Sequence, residues 1–145
     1  IIIDGGSTDG SVEVIKEYAD RINYWVSESD KGIYDAMNKG IRRASGEYCL
    51  FMNSADVIFH PTTLENISHI FDGTDIISGN LLFDHGHVMI PPQNPSAKYF
   101  YNYTLPHQAT FIRRHLLEIL CSEERTINPF TGKRRMTSYI IRDVS

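Results

Sequence analysis

The sequence predicts an α/β domain in which a mostly parallel sheet is flanked by helices and carries one antiparallel hairpin. Three observations lead there. Short β-forming runs alternate with amphipathic helical patterns over residues 1–120, the order that builds parallel strands joined by right-handed crossovers. Tyr48-Cys49-Leu50-Phe51-Met52 is apolar at every position, as suits an interior strand covered on both faces. After Asp75, two β-rich runs flank Asp84-His85-Gly86-His87, a turn that would pair them as a hairpin.

In chain order, Ile1-Ile2-Ile3 reads as the end of a buried strand, so we expect a chain that starts inside a domain whose first strand is missing. Asp4-Gly5-Gly6-Ser7-Thr8-Asp9-Gly10 is a turn into a helix over 11–19, with Val12, Ile15, Tyr18 and Ala19 on its apolar face and Ser7, Thr8 and Asp9 all competent to cap it. Residues 22–27 alternate as a strand, and 28–32 form a charged loop. A helix over 33–44 follows: Ile33, Met37 and Ile41 recur at four-residue spacing, and Lys39, Arg42 and Arg43 sit near its C-terminus, where the dipole favours cations. The 48–52 strand leads past Pro61 to a helix over 62–71 buried through Leu64, Ile67, Ile70 and Phe71. Residues 75–83 read as one strand, returning through Val88-Met89-Ile90. Pro91, Pro92 and Pro95 force an irregular connection, and Tyr99, Phe100, Tyr101 and Tyr103 suggest a short helix packed on the core. A last helix covers 115–120. Beyond it the periodicity fails, which divides the chain into a domain, 1–120, and a divergent or aberrant tail, 121–145.

The chain's 145 residues fit one domain, and 41 % hydrophobic with 22 % charged residues is a globular rather than a disordered composition. A net charge of −4 gives no global attraction for nucleic acid. Cys49 and Cys121 are too few for a disulfide framework and read as reduced thiols, which implies a cytoplasmic setting. No signal peptide and no apolar run of membrane-span length is recognisable.

Chemistry concentrates in four places. Asp4 closes a strand before Gly5-Gly6-Ser7, where glycines permit close backbone approach and helix-start N–H groups attract anions. The spacing matches neither Gly-x-Gly-x-x-Gly nor a Walker loop. Lys31-Gly32 opens the second helix, where a phosphate would meet a cation and the dipole, and Asp35, Asn38 and Lys39 can share one face. Asn53, Ser54 and Asp56 close the buried strand, a candidate oxygen-ligand set for Mg²⁺ or Mn²⁺. His107, before Gln108, could ligate a metal or a phosphate. Each also has a structural reading: a strand-to-helix junction, a solvated stripe, an Asx-type turn and a buried structural histidine.

Together, Ile3-Asp4-Gly5-Gly6-Ser7-Thr8-Asp9-Gly10, the segment from Asp30 through Gly40, Gly46-Glu47-Tyr48 through Asp56, and Pro106-His107-Gln108-Ala109-Thr110-Phe111-Ile112-Arg113 resemble the bacterial family 2 glycosyltransferases with the Rossmann-like GT-A fold. The resemblance covers roughly residues 1–117. It implies transfer of a sugar from a UDP- or GDP-sugar to an acceptor hydroxyl on a glycan or lipid-linked acceptor, in cell-surface polysaccharide synthesis, with no nucleic-acid partner. It also implies a cytoplasmic place, with peripheral association at the inner membrane face. Asp4, with Gly5, Gly6 and Ser7, would contact base or ribose; Lys31, Gly32, Asp35 and Asn38 would line the donor pocket with Asn53, Ser54 and His107. Asp56 would match the last carboxylate of the Asp-x-Asp motif and hold the divalent cation, Mn²⁺ or Mg²⁺, on the diphosphate, offsetting charge on the leaving group. Ser54 replaces the first carboxylate, so the cation would rest mainly on Asp56 and the diphosphate. The general base stays unassigned: Glu123, Glu124 and Asp143 are the late acidic residues, none in a family-like context. A donor-binding fragment or pseudoenzyme, and a non-catalytic α/β interaction module, are the other classes open to this sequence.

Overall fold

In chain order the elements are β1 (Ile2–Asp4), α1 (Ser11–Glu17), β2 (Trp25–Ser27), α2 (Ile33–Ile41), β3 (Tyr48–Asn53), α3 (Thr63–Ile67), β4 (Ile76–Ser78), β5 (Leu81–Leu82), β6 (Val88–Met89), α4 (Ala97–Asn102), β7 (Thr110–Arg113), α5 (Arg114–Ser122) and β8 (Ser138–Val144). The structure, a computed structural model, describes residues 1–122 and 138–144.

Strand β3 is the axis, with all six residues buried. The period-two alternation of a strand divides them between two cores. Cys49 and Phe51 join Ile3, Ala36, Met37, Ile41 and Leu117 beneath α2 and α5. Tyr48, Leu50 and Met52 join Phe111 on the other face, backed by Ile58, Leu64, Ile67, Phe71 and Ile77. Full burial of each large side chain stabilises by about 1.5–3 kcal/mol, so the apolar run that marks this strand in sequence also holds both layers to it. Tyr48 keeps its hydroxyl satisfied by donating to the Thr74 carbonyl at 2.9 Å.

The main sheet has the order β2-β1-β8-β3-β7-β4. β1 and β2 pair in parallel. β8 pairs antiparallel with both β1 and β3, so those two share a direction. β7 is antiparallel to β3 and to β4, which gives β4 that same direction. Four strands therefore run one way, as the β-α alternation predicts, and β7 and β8 run the other. Among the described strands only β1 and β2 are parallel neighbours, because the two reversed strands are inserted between the rest.

The predicted 75–83 strand is two strands. The Gly79 N–H, donating to the Ala109 carbonyl at 2.7 Å, ends the β4–β7 ladder where β7 gives way to the His107–Ala109 turn, and β5 then pairs with β6 in a separate two-stranded sheet. The predicted 22–27 strand begins only at Trp25, since residues 19–21 wind into a 3-10 turn. The first helix is entered from Gly10, with Asp9 accepting from the Ser11 N–H at 3.1 Å rather than capping from within it. At α4, Phe100 and Tyr103 are exposed rather than packed on the core as expected, and Tyr99, half-buried, meets Phe100 edge-on at 5.5 Å and Tyr103 at a tilt at 5.4 Å. At the other end α5 runs through Ser122, and residues 138–144, expected as tail, form a central strand of the sheet. Residues 123–137, with Glu123, Glu124 and the basic run after Thr131, lie outside the described residues.

Candidate functional site

Because β1 and β3 share a direction, their last residues, Asp4 and Asn53, emerge at one edge of the sheet. Strand β7 runs oppositely, so its first residue, Thr110, brings the His107–Ala109 turn to that same edge. Three of the four sequence motifs thus converge where ligands of open α/β sheets bind, beyond the carboxyl ends of the strands. The fourth, the 28–32 loop, joins them through β2.

Asp4 is fully buried. Its Oδ2 accepts from the Gly6 N–H at 3.1 Å, the Ser7 N–H at 2.9 Å and the Ser27 hydroxyl at 2.6 Å, while Oδ1 accepts from the Ser7 hydroxyl at 2.5 Å. The carboxylate therefore braces the glycine turn, and a base or ribose bonding to it would share oxygens already engaged. Gly6 turns with φ +84°, in the left-handed region that favours glycine, and lies over Ser29 and Glu28. Ser27 is a site residue that sequence reasoning missed. Its signal is register: as the last residue of β2 it pairs with Asp4.

The polar stripe of α2 has a definite task. Lys39 reaches Glu28 at 2.9 Å, Asp35 at 3.6 Å and the Ser29 carbonyl at 3.3 Å. Asp35 accepts the Lys31 N–H at 3.1 Å, and Asp30 accepts the Gly32 N–H at 2.8 Å. The Lys31 hydrogen bond holds the Asp35 carboxyl below its usual range, helped by the Lys39 charge. The bond to Glu28 raises Lys39 in turn. The stripe clamps the 28–32 loop against the glycine turn. Since carboxylates occupy the Lys31 and Gly32 N–H groups, an anion there would meet the exposed Lys31 side chain instead. Asn38 is half-buried on the same helix.

At the end of β3 the chain turns tightly. The Asn53 N–H donates to Asp56 Oδ2 at 2.7 Å and the Asp56 N–H to the Asn53 carbonyl at 3.0 Å. Ser54 is exposed within that turn. Buried Asn53 presents Oδ1 at 3.5 Å from His107 Nε2. Burial pulls His107 below its ordinary pKa, and the Asp56 carboxylate pushes it partly back. The imidazole is thus held neutral at physiological pH, with one ring nitrogen able to donate and the other to accept or ligate. Buried Thr110, also missed in the sequence, fixes this turn by donating to the Pro106 carbonyl at 2.8 Å and lying 2.8 Å from the Ser78 hydroxyl.

Among the described residues no group of three or more His, Cys, Asp or Glu is arranged to hold a metal. One carboxylate, one amide oxygen and one imidazole do not make a protein cage. They do fit a hard cation of the Mg²⁺ type that takes few protein ligands and draws the rest from phosphate and water. Strand β8 separates this corner from Asp4: Ser138 is the partner of Asp4 and Tyr139 that of Asn53, so the two halves stand two strand spacings, about 9.6 Å, apart. Asp143 pairs with Cys49, four residues back from Tyr139 and about 13 Å along the strand from the site edge.

A family model for glycosyl transferase family 2 matches residues 1–123. The chain belongs to that family. Its helix-flanked α/β sheet is consistent with the GT-A-like architecture. Similar proteins include a PGL/p-HBAD biosynthesis glycosyltransferase of Mycobacterium bovis, 25 % identical over 94 % of this chain and 53 % of its own length. An uncharacterized glycosyltransferase of Mycobacterium tuberculosis is 40 % identical over 54 % of this chain and 30 % of its own. Glycosyltransferase AglE of Haloferax volcanii is 29 % identical over 59 % and 29 % respectively. The chain spans about half the length, or less, of these relatives. No solved structure matches. Among the described residues no helix is long and apolar enough to cross a membrane.

Proposed function

We propose that this chain contributes the donor-binding part of a glycosyltransferase that moves a sugar from a nucleotide-diphosphate sugar to an acceptor hydroxyl. The observation that carries the reading is the meeting, at one sheet edge, of the braced Asp4 turn and the Asn53–Asp56–His107 corner. The Asp4 turn, with Gly5, Gly6 and Ser7, forms the nucleotide wall, and Lys31, Asp35 and Asn38 border it. Asp56, with Asn53 and Ser54 beside it, would hold a Mn²⁺ or Mg²⁺ ion, which would supply charge neutralisation for the diphosphate leaving group. His107 gives its Nε2–H to Asn53 Oδ1, which would leave Nδ1 as the ring nitrogen able to ligate the cation. The acceptor is a glycan or lipid-linked molecule of cell-surface polysaccharide synthesis, used from the cytoplasmic face with peripheral membrane contact.

The test is calorimetric titration of UDP- and GDP-sugars with and without Mn²⁺. Saturable binding that needs the cation and is lost in Asp56→Asn supports the reading, and absence of binding under both conditions refutes it. A donor-binding pseudoenzyme is favoured by one observation: the described carboxylates at the site edge, Asp4 and Asp56, already accept hydrogen bonds within the protein. Binding without transfer to any of a broad acceptor panel would select it.

A further inference from the structure

We propose that Val57 and Phe59 form an apolar platform beside the Asn53–Asp56–His107 corner and seat the apolar aglycone of the acceptor. The inference rests on the sugar-transfer reading above and names the acceptor's chemistry within it. Val57 is 84 % exposed and Phe59 80 %, the highest values among the large hydrophobics described. Single exposed apolar side chains are ordinary. This pair differs because a fixed backbone presents it.

The segment is pinned at three points. Asp56 is tied to Asn53 through its carboxylate and its own N–H, at 2.7 and 3.0 Å. Ile58 packs inward on the core beside Leu64 and Ile67. The His60 N–H donates to the Thr63 hydroxyl at 3.2 Å, and its Nδ1 lies 2.9 Å from the Thr62 hydroxyl. Val57 and Phe59, on either side of the inward-packed Ile58, are exposed to solvent. A pre-set apolar surface costs a ligand little ordering. It follows Asp56 directly, whereas the nucleotide half lies two strands away across β8. The platform therefore borders the Asp56 turn.

Charge and size point to this occupant. No Lys or Arg lies between Asn53 and Thr62, so an anionic membrane surface finds no basic partner on the segment. Two side chains also fall far short of the roughly 800 Å² per partner that a stable protein interface buries. A single alkyl or aryl group on the acceptor is of matching size.

The experiment compares octyl β-glucoside and phenyl β-glucoside, below their aggregation limits, with methyl β-glucoside as acceptors for the full chain with UDP- or GDP-sugar and Mn²⁺. We expect kcat/KM at least tenfold higher for an apolar glucoside than for the methyl one, arising in KM, and a ratio near one in the Val57→Ser/Phe59→Ser double variant. Equal use of all three, or a preference that survives the double substitution, overturns the proposal. Phe59→Trp provides a readout that needs no turnover: its emission should shift to the blue on adding octyl but not methyl glucoside. If no transfer is found with any acceptor, the sugar-transfer reading fails for this chain, and the emission shift alone decides the platform. No shift with octyl glucoside overturns it. Loss of self-association or of vesicle binding in the double variant, with the octyl-to-methyl ratio unchanged, assigns the surface to another occupant and equally overturns it.

Discussion

Replacing Asp4 by Ala separates two roles that the sequence alone leaves merged, a ligand contact and a brace. The carboxylate accepts four hydrogen bonds from Gly6, Ser7 and Ser27 while fully buried. Hydrogen bonds to a charged group are worth about 1.5–3 kcal/mol each, but they do not add. Gly6 is exposed, so its N–H can regain water in the variant. The net loss should therefore be about 3–4 kcal/mol, a large fraction of the ~5–15 kcal/mol that holds a domain of this kind. At roughly 3–4 °C per kcal/mol for this chain length, Asp4→Ala should lower Tm by about 10–15 °C. Asp4→Asn keeps one acceptor oxygen for the three donors on Oδ2, and the Ser7 hydroxyl can reverse to accept from the new amide. It should cost about half as much. The assay is thermal and denaturant unfolding followed by Trp25, the single tryptophan, which lies on β2 next to β1. A Tm within about 3 °C of the parent in Asp4→Ala, with nucleotide binding lost, would refute the brace and make Asp4 a ligand group alone.

Three further outcomes are expected. Mn²⁺ alone should show no saturable binding below about 1 mM, because the described corner offers one carboxylate; with UDP present it should bind, and Asp56→Asn should remove that gain, as read by calorimetry. Burial lowers the pKa of His107 in the native state, so the unfolded chain binds more protons below about pH 6.5. The stabilising share of neutral His107 is present above that pH and is lost as the pH falls toward the lowered native value; the denaturation midpoint between pH 5 and 8 should be less pH-dependent in His107→Gln. Ile140→Pro places a residue without an N–H at a position paired with Ile2 on one side and Met52 on the other. It should cost on the order of 3 kcal/mol and lower the Trp25-detected unfolding midpoint accordingly. A parent-like midpoint would mean that β8 does not hold the two halves of the sheet together.

The parts of the fold legible in the sequence are those whose burial is encoded locally. The apolar run of β3 announces an interior strand, and the Ile33–Met37–Ile41 spacing announces the helix that covers it. Ladder partners are not encoded locally. Nothing in Ser138–Val144 says that it pairs between β1 and β3, because strand choice depends on which edges the rest of the chain leaves open. The 75–83 run fails as one strand for a related reason: its partner β7 begins only at Thr110, so the ladder ends at the Gly79–Ala109 bond, and the partner's start has no signature within the run. In the site, Asp4, Asn53, Asp56 and His107 were legible as residue types at strand ends. Their supports, Ser27 and Thr110, were not, since a serine or threonine becomes a site residue only through the register that sets its neighbour.

The two halves of the site differ in how completely their polar groups are satisfied within the protein, and the difference bears on how they would recognise a donor. In the half proposed for the nucleotide, the Asp4, Asp30, Asp35 and Lys39 side chains all have internal partners, so that half is a preformed wall whose shape is set without a ligand. Such a wall selects by fit and gains affinity chiefly by costing no reordering. The Asp56 half has the opposite character. A single carboxylate and a neutral imidazole carry too little charge to hold a divalent cation without help from phosphate oxygens. If the proposed cation and diphosphate both bind there, linkage requires each to raise the affinity of the other by the same factor. A rigid wall joined to a charge-poor corner is consistent with Ser54 standing where a second carboxylate would be: with less of the cation's affinity supplied by protein, more of it depends on the donor being present.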